Sequence, residues 1–318
     1  MRLLVIGDLM LDEFVWGKVG RISPEAPVPV VEVSRESCYP GGAANVARNL
    51  REFSSHIGVI GLVGEDRHGE QLIDLLRQEK IDTRLCVQAA EFPTIVKTRI
   101  IARQQQVVRV DREKIARPKE EQIAAIVETV VRILPEIDAL IFEDYGKGLI
   151  TQRLVSEIAA AARAQGKVIA ADPNPHNPID WRDFSVVKPN RSEAFHAAGI
   201  PASEPAESVD ADEPLQKVGA TLLEKWASQL VLVTLGEDGM ILFQRNEASH
   251  HVPTKARQVF DVSGAGDTAI ALFTLALAAG ASAIEAADIA NHASAVVVGK
   301  LGTATLTSDE LRRAFADE

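Results

Sequence analysis

The sequence predicts an α/β fold in which a mostly parallel central sheet, flanked by helices, carries a small β-sheet lid. Two observations predict the main sheet: short apolar runs alternate with amphipathic segments, and the runs are continuous, as in strands that helices cover on both faces. A third observation predicts the lid, because two segments break this alternation. A length of 318 residues suits one large domain, so we expect a single unit over 1–318.

The predicted elements follow this alternation in chain order. Strands are predicted at 2–7, 57–62, 139–143, 168–171, 186–187, 230–234 and 240–243. Helices are predicted at 42–53, 67–79, 120–134, 152–165, 266–279 and 283–300. The helix at 152–165 is rich in alanine and is expected to end at Gly166, a residue that favours helix ends. Segment 201–214, rich in Glu, Asp, Ser and Pro, is predicted to be a surface loop.

The lid prediction depends on segments 14–39 and 94–111. The second contains two runs of alternating polar and apolar residues, which indicates strands with one buried and one exposed face. We place the lid at about 13–40 and 93–112. An extension of the main sheet edge fits the same pattern. Exposed apolar residues at 28–33 predict a homodimer through the lid.

Composition excludes several classes of function. The formal charge of −11 argues against a nucleic-acid binder and against a polybasic membrane anchor. The longest apolar run, 269–279, is too short to span a bilayer, and the apolar run after Met1 is too short for a signal peptide. Cys38 and Cys86 have no C-x-x-C spacing, so we expect no disulfide framework or zinc site and a reduced, cytoplasmic setting.

The strongest local motif is D-V-S-G-A-G-D-T at 261–268, followed by an apolar helix. Gly264, Ala265 and Gly266 are small enough for a ligand to approach the backbone, and the start of a helix favours an anion. Asp267 at that helix start has the chemistry of a general base, which accepts the proton of an attacking hydroxyl. The alternative is that Asp267 and Thr268 only cap the helix.

A second motif, G-G-A-A-N at 41–45, lies near the start of the chain. Gly41 and Gly42 allow close approach of a ligand, and Asn45 both donates and accepts hydrogen bonds. Asp8 and Asp12 follow the first predicted strand, and ligands of open α/β sheets bind beyond the carboxyl ends of the strands. Acidic and amide groups there suit a polyhydroxylated substrate. Taken alone, Asp12 is better explained as a turn residue.

These two motifs, in this order, resemble those of the ribokinase-like (PfkB) carbohydrate kinases, and the resemblance covers essentially the whole chain. Four further segments are similar to the D-glycero-β-D-manno-heptose-7-phosphate kinase half of bacterial ADP-heptose synthases. They are 7–12, 21–30, 144–148 and 297–303. The resemblance implies an ATP-dependent kinase that phosphorylates the anomeric hydroxyl of D-glycero-D-manno-heptose 7-phosphate. Since 318 residues match the kinase half alone, the nucleotidyltransferase step is expected on a separate chain.

The resemblance also implies roles for individual residues. Asp267 corresponds to the catalytic base, and Gly264, Ala265 and Gly266 to the anion hole. Positions that contact the sugar are Asp12, Gly41, Gly42 and Asn45. Positions that contact the nucleotide are Asn190, Thr234, Gly236, Gly239 and Asn291. Glu193 is implied to hold magnesium through water. The implied small molecules are ATP as co-substrate, Mg²⁺ and, as an option, a monovalent cation.

The substrate's remote phosphate requires cations, and the predicted lid hairpin supplies them. Lys97, Arg99 and Arg103 fall on one face of a strand, while Arg109 lies on the next run and Lys147 follows the strand at 139–143. The substrate-binding cations predicted from this are Lys97, Arg99 and Lys147. The alternative is a charged sheet edge that protects against aggregation.

One position departs from the heptose kinase pattern. Asn174, in A-D-P-N at 171–174, stands where those kinases carry lysine, which removes a cation near the phosphates. Two rival functions therefore stay open. One is a related kinase of another pentose, hexose or sugar phosphate, and the other is a nucleotide or sugar sensor without catalysis.

Overall fold

An eight-stranded sheet forms the centre of the computed structural model, which describes residues 1–103, 105–116, 118–256 and 259–316. Gln104, within the predicted lid, lies outside these described residues. The strands are β1 (Arg2–Gly7), β2 (Leu9–Ile22), β3 (Pro29–Gly42), β4 (His56–Ile60), β5 (Leu62–Gly64), β6 (Val87–Ala89), β7 (Ile95–Ala102), β8 (Gln105–Arg112), β9 (Ala139–Glu143), β10 (Val168–Asp172), β11 (Val186–Val187), β12 (Leu230–Thr234), β13 (Met240–Gln244) and β14 (His250–Val252).

The helices complete a layered architecture around this sheet. They are α1 (Ala43–Arg51), α2 (Arg67–Gln78), α3 (Glu120–Ile133), α4 (Gln152–Ala164), α5 (Arg191–Ala198), α6 (Glu213–Lys225), α7 (Ala265–Ala278), α8 (Ala283–Val298) and α9 (Ser308–Ala316). The sheet order is β14-β13-β12-β11-β10-β9-β1-β4, and every pairing from β4 to β12 is parallel. Within this sheet of the described residues, β13 alone runs in the opposite direction, so its pairings with β12 and with β14 are antiparallel. The predicted fold class, a mostly parallel sheet flanked by helices, is therefore confirmed.

Two apolar cores lie on opposite faces of the sheet, as the side-chain alternation of a strand requires. Leu3 and Val5 of β1 pack on the face covered by α1, α2, α7 and α8, while Leu4 and Ile6 pack on the other face. On that second face the rings of Phe142, Trp181 and Phe184 meet edge to face. No helix among the described residues is long and apolar enough to cross a membrane.

A separate four-stranded sheet, here called the lid, has the order β3-β2-β7-β8. Both segments that break the sequence alternation contribute strands to it, so the alternative of an extension of the main sheet is wrong. β2 follows β1 with only Asp8 between them, and β3 runs directly into α1. The two lid strands meet at the main domain, where the Ala43 N–H donates to the Asp8 carbonyl at 3.1 Å.

Most predicted element bounds differ from the structure by one or two residues, but three helices, α5, α6 and α9, were missed. The predicted loop 201–214 ends in α6, whose first turn contains Pro214 and whose preceding residue, Asp212, accepts a hydrogen bond from the Leu215 N–H. Acid followed by proline is a helix start signal. α5 begins with a reciprocal capping pair between Asn190 and Glu193.

Candidate active site

Charged side chains collect where the parallel strands end. Gly7, Glu143 and Asp172 stand in register at the carboxyl ends of β1, β9 and β10, and Lys188 follows β11 directly. The amino end of α7 points at the same edge and carries Asp267. This edge is where α/β sheets bind ligands, because the loops there diverge and leave a crevice.

Asp267 lies at the centre of this edge and is 5% exposed. Its Oδ2 accepts a hydrogen bond from Asn45 Nδ2 at 2.7 Å, and its Oδ1 accepts one from the Tyr145 hydroxyl at 2.8 Å. Burial raises the pKa of Asp267 to about 6, against the two hydrogen bonds, which favour the ionised form. The carboxylate is thus held by two donors and has a pKa suited to accept a proton near neutral pH.

The glycines of the D-V-S-G-A-G-D-T motif shape the start of α7. Gly264 has φ +82°, and a Cβ at this position would lie 2.7 Å from Asn45 Nδ2, so both conformation and space require glycine. The Ala265 N–H donates to the Val262 carbonyl at 3.2 Å and is already engaged. The amides of Gly266 and Asp267, which follow in the first turn, are therefore the better placed donors to an anion.

Lys188 is a buried side chain of this edge that the sequence analysis did not single out. It is 3% exposed, and its Nζ lies 2.7 Å from Asp172 Oδ2 and 3.5 Å from where a Cβ on Gly266 would be. Burial acts to lower the pKa of Lys188, but the neighbouring Asp172, Glu143 and Glu193 outweigh it and raise the pKa. A permanent cation therefore sits beside the amides of α7. Its signal in the sequence was a lysine directly after a buried strand.

Glu143, the last residue of β9, adds a further buried carboxyl group to those of Asp172 and Asp267. It is 1% exposed, and its Oε2 has no hydrogen-bond partner within the described part of the chain. Burial, together with the negative charges of Asp172 and Asp267, raises the pKa of Glu143 well above its ordinary value. Burial thus disfavours the ionised form of Glu143 next to Asp267.

A loop after β9 brings Tyr145 to the site, and two carboxylates hold its backbone. The Asp8 Oδ2 accepts hydrogen bonds from the Tyr145 and Lys147 N–H groups at 3.0 and 2.9 Å. Asp144 Oδ1 accepts from the Gly146 N–H at 2.8 Å. Burial raises the pKa of Asp8, against these backbone hydrogen bonds, and raises that of Asp144 to about 7. Asp8 thus fixes the loop.

The predicted sugar-contacting residues lie at the base of the lid. Asp12 is 6% exposed and pairs with Arg99 Nη1 at 2.5 Å, and Thr303 Oγ1 lies 3.5 Å from its Oδ2. A Cβ on Gly41 would collide with the Asp12 carboxylate, and Gly42 has φ +59° where β3 turns into α1. The structure thus brings Asp12, Gly41 and Arg99 together, while Asn45 lies deeper, against Asp267.

The predicted phosphate-binding cations are only partly brought together. Lys97 is half-buried and forms no ion pair among the described residues, and burial and the nearby Lys147 lower its pKa. Lys147 pairs with Glu113 at 2.9 Å, and Arg109 with Asp111 at 2.9 Å. Arg103 does not share a face with Lys97, because a register shift follows Ile100 and Arg103 lies exposed in the turn after β7.

The predicted nucleotide-contacting residues line the far end of the same edge. Asn190 forms an isolated parallel bridge with Thr234, the last residue of β12. Gly236 and Gly239 flank the turn after β12, and a Cβ on Gly239, which has φ +84°, would collide with the Val252 carbonyl. Asn291 on α8 donates to the Pro253 carbonyl at 2.7 Å.

The donor set here fits Mg²⁺ bound mainly by phosphates. Among the described residues, no three His, Cys, Asp or Glu side chains are arranged to hold a metal ion. Glu193 uses Oε2 to accept the Asn190 N–H at 2.8 Å, which leaves its other oxygen available to a metal-bound water. Mg²⁺ keeps several waters and needs few protein carboxylates when phosphates are present, so Glu193 suits this role.

Comparison with known proteins agrees with this geometry. Residues 1–310 match the pfkB family carbohydrate kinase model. The chain is 41% identical over 317 residues to the bifunctional protein HldE of Desulfatibacillum aliphaticivorans, covering 100% of this chain and 63% of that protein. The chain therefore spans less than two thirds of that relative's length.

Two solved structures show the same fold. Phosphofructokinase-2 from Escherichia coli in complex with potassium has a TM-score of 0.78 at 20% identity and covers 99% of this chain and 98% of its own. Ribokinase from Arabidopsis thaliana complexed with ribose and ATP has a TM-score of 0.73 at 19% identity, with 98% of each chain covered. The ribokinase-like fold expected from the sequence motifs is thus confirmed.

We predict that Lys188→Met lowers the free energy of unfolding at about pH 8 by about 3–5 kcal/mol, because Asp172 keeps a buried charge without a partner. Burial already raises the pKa of Asp172 to about 6, and loss of Lys188 raises it further. A carboxyl group whose pKa is higher in the folded than in the unfolded chain lowers the stability of the fold as pH rises through that pKa. The stability difference between Lys188→Met and wild type should therefore be smaller near pH 5 than at about pH 8. Urea unfolding at both pH values measures this.

The matched control is the double variant Asp172→Asn/Lys188→Met, which removes both charges. It should recover most of the lost stability at about pH 8, since neutral replacement of a buried pair costs little. A double variant as unstable as Lys188→Met would show that packing of the lysine stem, and not its charge, is responsible.

Proposed function

The chain belongs to the pfkB family of carbohydrate kinases, and we propose that it transfers the γ-phosphoryl group of ATP to the anomeric hydroxyl of D-glycero-D-manno-heptose 7-phosphate. As a carbohydrate kinase it is a phosphotransferase with an alcohol group as acceptor and ATP as co-substrate. The observation that carries the proposal is Asp267, a buried carboxylate held by two donors beside the amino end of a helix. The relative at 41% identity supports the heptose as acceptor.

In the proposed reaction, Asp267 takes the proton of the acceptor hydroxyl as the oxygen attacks the γ-phosphorus. The bond from that phosphorus to the bridging oxygen of ADP breaks at the same time. The amides of Gly266 and Asp267 stabilise the charge on the transferring group, and Lys188 adds a buried cation beside them.

Mg²⁺, when bound, neutralises the phosphates of ATP and orients the group being transferred. We propose that Glu193 holds it through water and that Asn190, Thr234, Gly236, Gly239 and Asn291 border the nucleotide. A monovalent cation is a further proposal, supported by the phosphofructokinase-2 structure described as a complex with potassium.

The acceptor lies, in this proposal, between Asp267 and the lid. Asp12, Gly41, Gly42 and Asn45 meet the sugar hydroxyls. The remote phosphate lies near Lys97 and Lys147. Lys97 is half-buried beside a second ammonium group, and this arrangement favours a bound anion. The lid, proposed as residues 13–40 and 93–112 of one domain over 1–318, covers the acceptor and excludes water.

A sensor without catalysis is the alternative of a different class, and burial argues against it. A sensor gains nothing from a carboxylate whose desolvation costs stability, whereas a kinase needs a proton acceptor there. The cytoplasmic location expected from cysteine usage stays a prediction.

We predict that Asp267→Asn lowers kcat by roughly 10²-fold or more while the chain still binds ATP and the acceptor, because the amide cannot accept the proton. The measurements are ATP turnover and calorimetric binding of each ligand. Asp74→Asn, on the exposed face of α2, is the matched control and should keep wild-type turnover. Undiminished turnover of Asp267→Asn would show that another group is the base.

For the remote phosphate, we predict that Lys97→Met raises KM for heptose 7-phosphate by about tenfold to hundredfold, since a hydrogen bond to a charged group is lost. Activity on acceptors without a phosphate should change by less than about twofold. Lys18→Met, on the exposed part of β2, is the matched control.

The proposed substrate is tested by measuring ATP turnover with a panel of sugars and sugar phosphates. Strong turnover of an unphosphorylated pentose with none of heptose 7-phosphate would refute the proposed substrate.

We also propose a homodimer through the lid, because the lid exposes several branched apolar side chains. They are Ile22, Val28, Val33, Val107, Val108 and Val110. Sedimentation velocity at micromolar concentration should show a dimer, and Val110→Asp should shift it towards monomer by placing a charge in the interface. Val131→Asp on α3 is the control, since Val131 is exposed outside the lid. A monomeric wild type would contradict the dimer.

A further inference from the structure

We propose that Tyr145 is a positioning residue for the base: its phenol holds the Asp267 carboxylate in one orientation and stabilises its ionised form. The inference rests on the proposed function, in which Asp267 takes the proton of the acceptor. Neither motif that defines the site contains Tyr145. Its role is visible only from the 2.8 Å hydrogen bond that joins two residues 122 positions apart.

The hydrogen bonds to Asp267 divide between its two oxygens. Asn45 donates to Oδ2 and Tyr145 to Oδ1, so rotation about the Cβ–Cγ bond would break one bond or both. A carboxylate has about four lone-pair sites, and these donors occupy two of them. A lone pair therefore remains on each oxygen for the hydroxyl of the acceptor. Without Tyr145 the carboxylate would be held at one oxygen only.

The phenol is itself fixed by the backbone that carries it. The Tyr145 N–H donates to Asp8 Oδ2, and the Lys147 N–H donates to the same oxygen. The Leu149 N–H lies 3.4 Å from Asp8 Oδ1. Since Asp8 joins β1 to β2, the loop is tied to the central sheet. Because hydrogen bonds to Asp8 fix the backbone of Tyr145, its hydroxyl is already in position to donate before substrate binds.

Charged and polar groups from five elements surround Asp267. Asn45 faces it from α1, Tyr145 from the loop after β9, Glu143 from the end of β9, Asp172 from β10 and Lys188 from the end of β11. Burial raises the pKa of Asp267, the donors Asn45 and Tyr145 lower it, Asp172 raises it and Lys188 lowers it.

The phenol remains a donor throughout the working pH range. Burial, with the negative charges of Asp267 and Glu143, raises the pKa of Tyr145 well above its ordinary value. Removing only its hydroxyl therefore deletes one hydrogen bond to Asp267 and leaves the formal charge of the site unchanged. The consequence is a base that is protonated at higher pH.

The test compares Tyr145→Phe with Tyr39→Phe, the same change at the only other tyrosine of the chain. Tyr39 lies in the lid, where its ring contacts Phe14 and Arg48. kcat is measured against pH with saturating ATP and the best acceptor from the sugar panel. Titration of the substrate phosphates is common to all variants, so a difference between variants reports the enzyme.

Because the base must be ionised, activity falls as pH drops through its pKa, and a higher pKa moves this acid limb upwards. In Tyr145→Phe we expect an upward shift of about one pH unit, so that kcat falls about twofold near pH 7 and up to about tenfold at pH values below the wild-type pKa. The KM for ATP should stay within about twofold of wild type. Tyr39→Phe should keep the acid limb of the wild type.

An acid limb and kcat unchanged in Tyr145→Phe would overturn the inference. If Asp267→Asn abolishes turnover in the same assay, the proposed base stands and only the role of Tyr145 fails. If Asp267→Asn retains full turnover, Asp267 is not the base and the proposed mechanism fails.

A second measurement decides the matter should Tyr145→Phe not fold. Fluorotyrosine incorporated into the Tyr39→Phe variant replaces Tyr145 alone, and ring fluorination makes the phenol a stronger donor. The acid limb should then move downwards, opposite to the phenylalanine variant. An acid limb that does not move would also overturn the inference.

Discussion

Charge balance at the ends of the parallel strands is the constraint on which the site depends. Asp172, Asp267 and Glu143 are buried there with the cation Lys188, and burial raises the pKa of Glu143 well above its ordinary value. Several ionised carboxylates in so little space would repel one another and destabilise the fold. The positive charge of Lys188, and burial that disfavours the ionised form of Glu143, limit the negative charge that Asp267 meets when it ionises. The same balance that keeps the core folded therefore sets the conditions for a base.

The net negative charge of the protein and the local positive groups of the site act over different distances. A net charge of −11 is distributed mainly over solvated surface, where salt screens it. Phosphate groups would meet the helix amides of α7, Lys188 and the ammonium groups of Lys97 and Lys147. A handful of oriented donors at close range outweighs a larger but distant negative charge, because screened interactions fade within about ten ångströms.

The sequence predicted the parts of this molecule that are encoded locally. Strands and helices followed from apolar periodicity, and Gly264 and Asp267 were evident because they lie together in one short motif. Lys188 and Tyr145 were not, since the atoms they face come from residues distant in the chain. Ala265 was expected to donate to an anion, but its N–H is engaged by Val262, which only the local backbone geometry shows. The sequence predicted Arg103 on the same face of a strand as Lys97, because side chains alternate between the two faces. A register shift after Ile100 breaks that alternation.

The two longest lid strands leave the central domain at one point, and this has a mechanical consequence. β2 continues β1 through Asp8, β3 ends at Gly42, and the Ala43 N–H ties the two to each other through the Asp8 carbonyl. A rotation of the lid about this junction would move the far ends of β2 and β3 through a long arc. Asp12, four residues from the pivot, would move only a short distance. In such a rotation the inner end of the lid would stay close to Asp267 while the outer ends of its strands moved, so opening for exchange and precise placement of the proposed acceptor need not conflict.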